Sequence, residues 1–164
     1  MKAVGAVLGV AACLAVFFTP INVLAAEDNG IQVQEVKVGL VEQSLVVLLI
    51  VGDRFVPIHV DATVAVSIHS VLTGSPTTRP LSHDLMRLIL LELGAKVTQA
   101  VITLKEKTYS ADLTITLGDR AWIFDSRSSD AIALALLFKA PIIVAKGTWD
   151  SSSQAWESPR GDTS

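Results

Sequence analysis

Three side chains close together in the chain, Asp125, Arg127 and Asp130, are of the types that handle phosphate groups. Carboxylates ligate hard cations and orient water, and a guanidinium grips phosphate oxygens bidentately. Upstream, Arg79 precedes Pro80 in a stiff loop, and His83-Asp84 joins a further carboxylate to an imidazole suited to proton transfer near neutral pH. As chemistry, the set assigns His83, Asp84, Asp125 and Asp130 to catalysis and Arg79 and Arg127 to the substrate phosphate. Asp125 and Asp130 double as ligands for a divalent metal of the Mg or Mn type. The same residues also have an ordinary structural reading, in which Asp130 caps a helix and Arg127 pairs with Asp125 or Asp84. His59 and His69 stand outside both clusters and are given no role. Gly-rich phosphate loops, nucleophile elbows and zinc-ligand spacings are absent, and aromatic residues are only 5% of the chain, too few for a base-stacking ladder.

Positioning these groups requires short strands and helices, and the hydrophobic pattern supplies them. Gln32 to Val41 alternates imperfectly, Leu45 to Val51 is an unbroken aliphatic run, and Phe55 to Val60 follows a Gly52-Asp53 turn, so all three read as strands. A helix begins at Asp61 or Thr63 and ends at Gly74. A second, capped by Ser82, runs from His83 to Leu93, with Gly94 closing it. Lys96 to Leu104, Tyr109 to Leu117 and Arg120 to Phe124 read as a meander, followed by a helix from Ser129 to Phe138 and a strand from Pro141 to Ala145. The fold class is α+β: a single domain with a mixed, largely antiparallel sheet and about three helices.

An internal similarity reinforces this. Gly52-Asp53-Arg54 matches Gly118-Asp119-Arg120, and at the same offset Ala65 falls on Ala131, Ile68 on Leu134 and Leu72 on Phe138 without a gap. The chain therefore reads as two hairpin-then-helix units, a pattern compatible with a pseudo-twofold. At that offset Val64 is the counterpart of Asp130.

The chain has 164 residues, enough for one domain with a substantial core. Residues 1–26 have the order of a secretory signal: Lys2, an apolar run from Ala3 to Phe18, and small residues before Glu27. Cleavage is expected before Ala26 or Glu27, giving an exported protein, periplasmic or secreted, that keeps no membrane span. The remaining domain, 31–146, is followed by a Ser-, Gly- and Asp-rich segment, 147–164, expected to be a disordered tail. Without Lys2 the basic residues number 12 against 16 acidic, a net −4, which excludes a broad grip on phosphate backbones. Contact with nucleic acid is expected to be local, and a homo-oligomer is compatible with the composition.

The run Arg79-Pro80-Leu81-Ser82-His83-Asp84-Leu85, with Leu93-Gly94-Ala95-Lys96-Val97 and Val101-Ile102, resembles the central motif of the bifunctional nuclease family. Phe124-Asp125-Ser126-Arg127-Ser128-Ser129-Asp130-Ala131-Ile132-Ala133-Leu134-Ala135, with Ala140-Pro141-Ile142 downstream, is similar to that family's Asp-x-Arg-Pro-Ser-Asp-Ala-Ile-Ala-Leu-Ala segment. The resemblance covers roughly residues 31 to 146 and implies nuclease activity towards RNA and DNA. Two positions depart from it. Family members usually carry Gly-Pro-x-Glu-Ala where this chain has Asp61-Ala62-Thr63-Val64-Ala65, so Val64 replaces an acid, and Ser128 replaces a proline. The alternative to a metal-dependent nuclease is a catalytically inactive binding or assembly module on the same fold.

Overall fold

The aliphatic run that reads as a strand is one, and it is buried on both faces: β3 (Ser44–Val51) lies between β2 (Glu35–Val41) and β4 (Arg54–His59), with Val46, Val47 and Leu49 fully buried. The structure, a computed structural model, describes residues 30–41, 43–75 and 77–155. The expected leader, 1–26, lies outside the described residues. From the amino-terminal side β1 (Gly30–Gln32) precedes β2, and α1 (Ala62–Thr73) follows β4. Then come α2 (Ser82–Glu92), β5 (Ala95–Lys105), β6 (Thr108–Leu117), β7 (Arg120–Arg127), α3 (Ser128–Phe138), β8 (Ile142–Ala145), α4 (Lys146–Ser152) and β9 (Gln154–Ala155).

The α+β class and the largely antiparallel pairing are as expected, with the strands divided between two sheets. One has the order β1-β8-β5-β6-β7, in which only β5 and β8 run parallel; the other has the order β2-β3-β4-β9. Both hairpin-then-helix units are present, β3-β4-α1 in the second sheet and β6-β7-α3 in the first, and α1 packs on α3. Each hairpin turns on a glycine at positive φ, +59° at Gly52 and +56° at Gly118, a conformation costly for a residue bearing Cβ. Helix α3 is buried on nearly all sides from Ala131 to Ala135, because it also touches β4, β5, β6 and β7. That explains its small, uniformly apolar sequence: a helix covered all round has no polar face to show.

From Gly147 to Ala155 the chain differs from the expected tail, and residues 156–164 of that expectation lie outside the described residues. Residues 146–155 form α4 and β9, with Trp149 buried in the core and β9 extending the second sheet against β4. Thr148 Oγ1 accepts the Leu104 N–H at 2.8 Å, Arg54 Nη2 donates to the Ser153 carbonyl at 3.1 Å, and the Arg54 guanidinium lies 5.9 Å from the Trp149 ring centre. A polar composition suggested a tail because it counts residues, whereas one large aromatic side chain in a prepared pocket outweighs many serines. Among the described residues four helices therefore stand where about three were expected.

Candidate active site

The repeat brings the starts of α1 and α3 together, and α2 inserts its first turn between them. Asp61 is the N-cap of α1: its Oδ1 accepts the Val64 N–H at 3.0 Å, one of the donors that every helix start leaves unpaired. Arg127 holds the corresponding position before α3, and Asp130 lies in that helix's first turn. The Arg127 guanidinium clasps Asp130 through two bonds, Nε to Oδ2 at 2.7 Å and Nη2 to Oδ1 at 2.9 Å. Its Nη1 faces the second oxygen of Asp61 at 3.7 Å. Arg127 thus bridges the acids of both repeats.

His83, only 8% exposed, completes the constellation. Its Nε2 lies 3.2 Å from Asp130 Oδ1 and its Nδ1 lies 3.0 Å from Ser67 Oγ. An ionised carboxylate only accepts, so Nε2 carries the proton in this arrangement; in the neutral ring, Nδ1 then accepts from the Ser67 hydroxyl. The order serine, histidine, aspartate matches a nucleophilic triad in composition. Ser67, however, is 1% exposed and does not line the cleft, so no substrate reaches its oxygen. It orients the ring from behind.

Burial pushes the Asp130 carboxyl up, but the hydrogen bonds from Arg127 and His83, together with the charge of Arg127, outweigh this and hold it below the ordinary aspartate value. The hydrogen bond and charge of Asp130 raise the guanidinium of Arg127 in turn. The group opens into a cleft of about 720 Å³ whose walls are mostly apolar: Val64, Met86, Leu113, Ile115, Phe124 and Leu134 surround the polar end. Low-polarity walls strengthen charge interactions at the bottom of such a cleft.

Of the residues singled out in the sequence, His83, Arg127 and Asp130 meet here, and three others do not. Asp84 turns back on its own helix, where Oδ2 accepts the Leu81 N–H at 2.9 Å, and it borders a second cavity beside Arg87. Asp125 lies opposite Asp112 on the exposed face of β6 and β7, because side chains alternate along a strand and Phe124 and Ser126 take the cleft side. Asp125 and Asp130 therefore do not share one ion. Arg79 is exposed in the loop before α2 and lines no part of the cleft. Arg127 pairs with neither Asp125 nor Asp84. Asp130 is not a cap, since α3 has no side-chain cap, and Ser82 lies inside α2 rather than before it.

Two members of the group, Ser67 and Asp61, carry no sequence motif of their own. Ser67 is a polar residue on the buried face of α1, three positions after Val64, and a buried hydroxyl in an apolar stripe signals a partner. Asp61 reads in the sequence only as a cap, although a carboxylate has a second oxygen free to meet a cation.

The fold and this cleft define a class: an α+β domain built from two hairpin-helix units that presents a histidine, two carboxylates and a guanidinium in an apolar cleft. Residues 46–156 match the bifunctional nuclease domain model, and the chain belongs to that family. It is also similar to two proteins of Mycobacterium tuberculosis named only as uncharacterized, from strains CDC 1551 / Oshkosh and ATCC 25618 / H37Rv. Each is 36% identical over 94 residues, 57% of this chain and 56% of the relative, so the chain spans just over half their length. The family match runs through α4 and β9. Both departures from the family pattern now have a local account. Ser128 is the first residue of α3, where proline is favoured but not required. The acid absent at Val64 has a neighbour one turn earlier, since Asp61 occupies the family's usual glycine position and reaches the same guanidinium.

Proposed function

We propose that the cleft hydrolyses phosphodiester bonds of RNA or DNA, with His83 and Asp130 moving the proton and Arg127 holding the phosphate. The observation supporting this most directly is the His83–Asp130–Arg127 contact at the polar end of an open cleft. A phosphate oxygen carries the same charge and accepting geometry as a carboxylate oxygen, so an incoming phosphate competes with Asp130 for the guanidinium and for the Nε2–H. Its entry frees a carboxylate oxygen of Asp130 to accept a proton from the attacking water as the new P–O bond forms, while Nε2–H gives its proton to the leaving sugar oxygen as the old P–O bond breaks.

A divalent cation fits this scheme at Asp61 and Asp130 rather than at Asp125. Among the described residues no three His, Cys, Asp or Glu side chains form a closed cage. Magnesium-type ions are commonly held by one or two carboxylates plus substrate phosphate and water. Bound there, the ion neutralises charge on the phosphate. The test is cleavage of labelled RNA and DNA by the purified protein, with and without chelator. Asp61→Asn, which still caps α1, is expected to lower cleavage, and adding Val64→Glu to that variant to restore part of it. Equal activity in all three proteins would remove Asp61 from the site. Val64 is 3% exposed, so a melt must accompany the Glu variant.

A second reading, an inactive binding or assembly module, draws on one observation: both ring nitrogens of His83 and both oxygens of Asp130 are already paired within the protein. In that reading the network only pins three helices together. Absence of cleavage with every divalent metal tried would favour it.

The leader read from residues 1–26 makes the activity an extracytoplasmic one in this proposal. Mass spectrometry of the native protein is expected to find a chain starting at Ala26 or Glu27. A chain retaining Lys2 would instead indicate an anchor.

A further inference from the structure

The cleft has a polar end and an apolar body, and the two follow in order along one strand. Arg127 closes β7 at the polar end, and Phe124, which lines the apolar body, precedes it by three strand positions, about 10 Å of chain. Leu113 is the cross-strand partner of Phe124, and Ile115 continues that wall along β6. Met86 of α2 lines the cleft from a second element, and Val64 and Leu134, 3 and 2% exposed, join it to the core.

This order suits a single nucleotide. With a phosphate at Arg127, the step back along β7 to Phe124 spans a sugar and its base, and an aromatic ring offers a stacking platform to any base. The volume of about 720 Å³ is that of a small-ligand site, too little for a duplex. Charge sets a further limit. Among the described residues lining the cleft, Arg127 is the one permanent cation, and Asp61 and Asp130 stand beside it. Phosphates flanking the bound one therefore find no partner there. The base edge finds none either: the apolar body carries no amide or charged side chain, and the Ser126 hydroxyl already donates to the Ala111 carbonyl at 3.2 Å.

We propose, resting on the hydrolytic reading of the polar end, that the apolar body is a base subsite. Phe124 stacks on one unpaired base whose phosphate lies at Arg127, and the substrates are short single-stranded oligonucleotides held over one nucleotide without regard to sequence. A paired base does not fit, because both its faces are stacked and its edge is engaged within the duplex. Purines bind better than pyrimidines, having the larger ring face. Because a longer strand adds no further phosphate contact, log K falls against log salt with a slope of about −0.7, that of a single phosphate on a single strand.

Calorimetric titration of the purified protein with deoxyadenosine 5′-monophosphate and with 2-deoxyribose 5-phosphate compares one phosphate with and without a base. The nucleotide is expected to bind about 10- to 100-fold more tightly, the worth of one stacked base. That comparison needs no variant. Phe124→Leu is expected to bring the two affinities together, and Phe124→Trp to keep them apart. Leu40→Ala, 70% exposed on β2 of the other sheet, is expected to change neither. Equal affinities in the parent overturn the subsite, as does failure of the nucleotide to bind at millimolar concentration or a base advantage that survives in folded Phe124→Leu protein. A ten-residue deoxyadenosine strand, titrated in chelator, is expected to show the single-phosphate salt slope; a slope several times steeper overturns recognition over one nucleotide. Base-dependent binding by a protein that cleaves nothing would remove the hydrolytic reading and keep the subsite. Cleavage of an abasic step as fast as of an intact one would keep hydrolysis and overturn the subsite.

Discussion

Replacing His83 with Gln is expected to lower phosphodiester cleavage by about 10² to 10⁴-fold, the usual contribution of a positioned proton carrier. The amide keeps a polar side chain in the buried site between Ser67 and Asp130 but cannot exchange a proton near neutral pH, so folding should survive better than with Ala. Asp130→Asn is expected to act in the same direction by releasing both His83 and Arg127. Ser67→Ala should have a smaller effect with a distinct signature: Asp130 still fixes the Nε2–H tautomer, but Nδ1 loses its hydroxyl donor, which nitrogen NMR of the ring reads as a shift of that nitrogen alone. Unchanged cleavage in a folded His83→Gln protein would exclude the ring from the chemistry and favour the binding-module reading.

Acid should dismantle the same network. The Asp130 carboxyl lies below its unfolded value in the folded protein, so its ionised contacts contribute stability that is fully present above the unfolded aspartate range. That contribution is lost as pH falls through the depressed folded value, when Arg127 and His83 lose a charged partner. Asp130→Asn should therefore flatten the acid limb of the stability profile. A limb identical to that of the parent would mean that other carboxylates control it.

Truncation after Lys146 is expected to lower the melting temperature by more than about 10 °C, and Trp149→Ala alone to cost about 3 to 5 kcal/mol. Trp149 is 7% exposed in the core, so its removal leaves a cavity under the Arg54 guanidinium. The truncation also deprives Leu104 of the acceptor on Thr148 and strips β9 from the edge of β4. Thermal denaturation of the two variants tests both figures. A truncated protein melting with the parent would show that α4 and β9 contribute no net stability.

Much of this protein was legible as pattern. Alternation and aliphatic runs located the strands, apolar spacing and Gly74 or Gly94 bounded the helices, and the repeat aligned Val64 with Asp130 before any contact was known. These features are local: they depend on periodicities of two and 3.6 residues and on the backbone freedom of glycine. His83, Arg127 and Asp130 were also identifiable by type.

Which candidates meet was decided only by the tertiary structure. Asp125 and Asp130 are close in sequence, yet the strand's alternation turns the first outward and the helix turns the second into the cleft. Asp84 follows His83 directly, but adjacent helix positions point about 100° apart, so it bonds to its own helix start while the imidazole reaches Asp130. Ser67 and Asp61 join because α1 packs on α3, a contact separated by more than sixty residues in the chain. The fate of Trp149 was likewise a question of whether a pocket awaited it. Composition records what a segment contains, whereas burial depends on the shape that distant segments leave open.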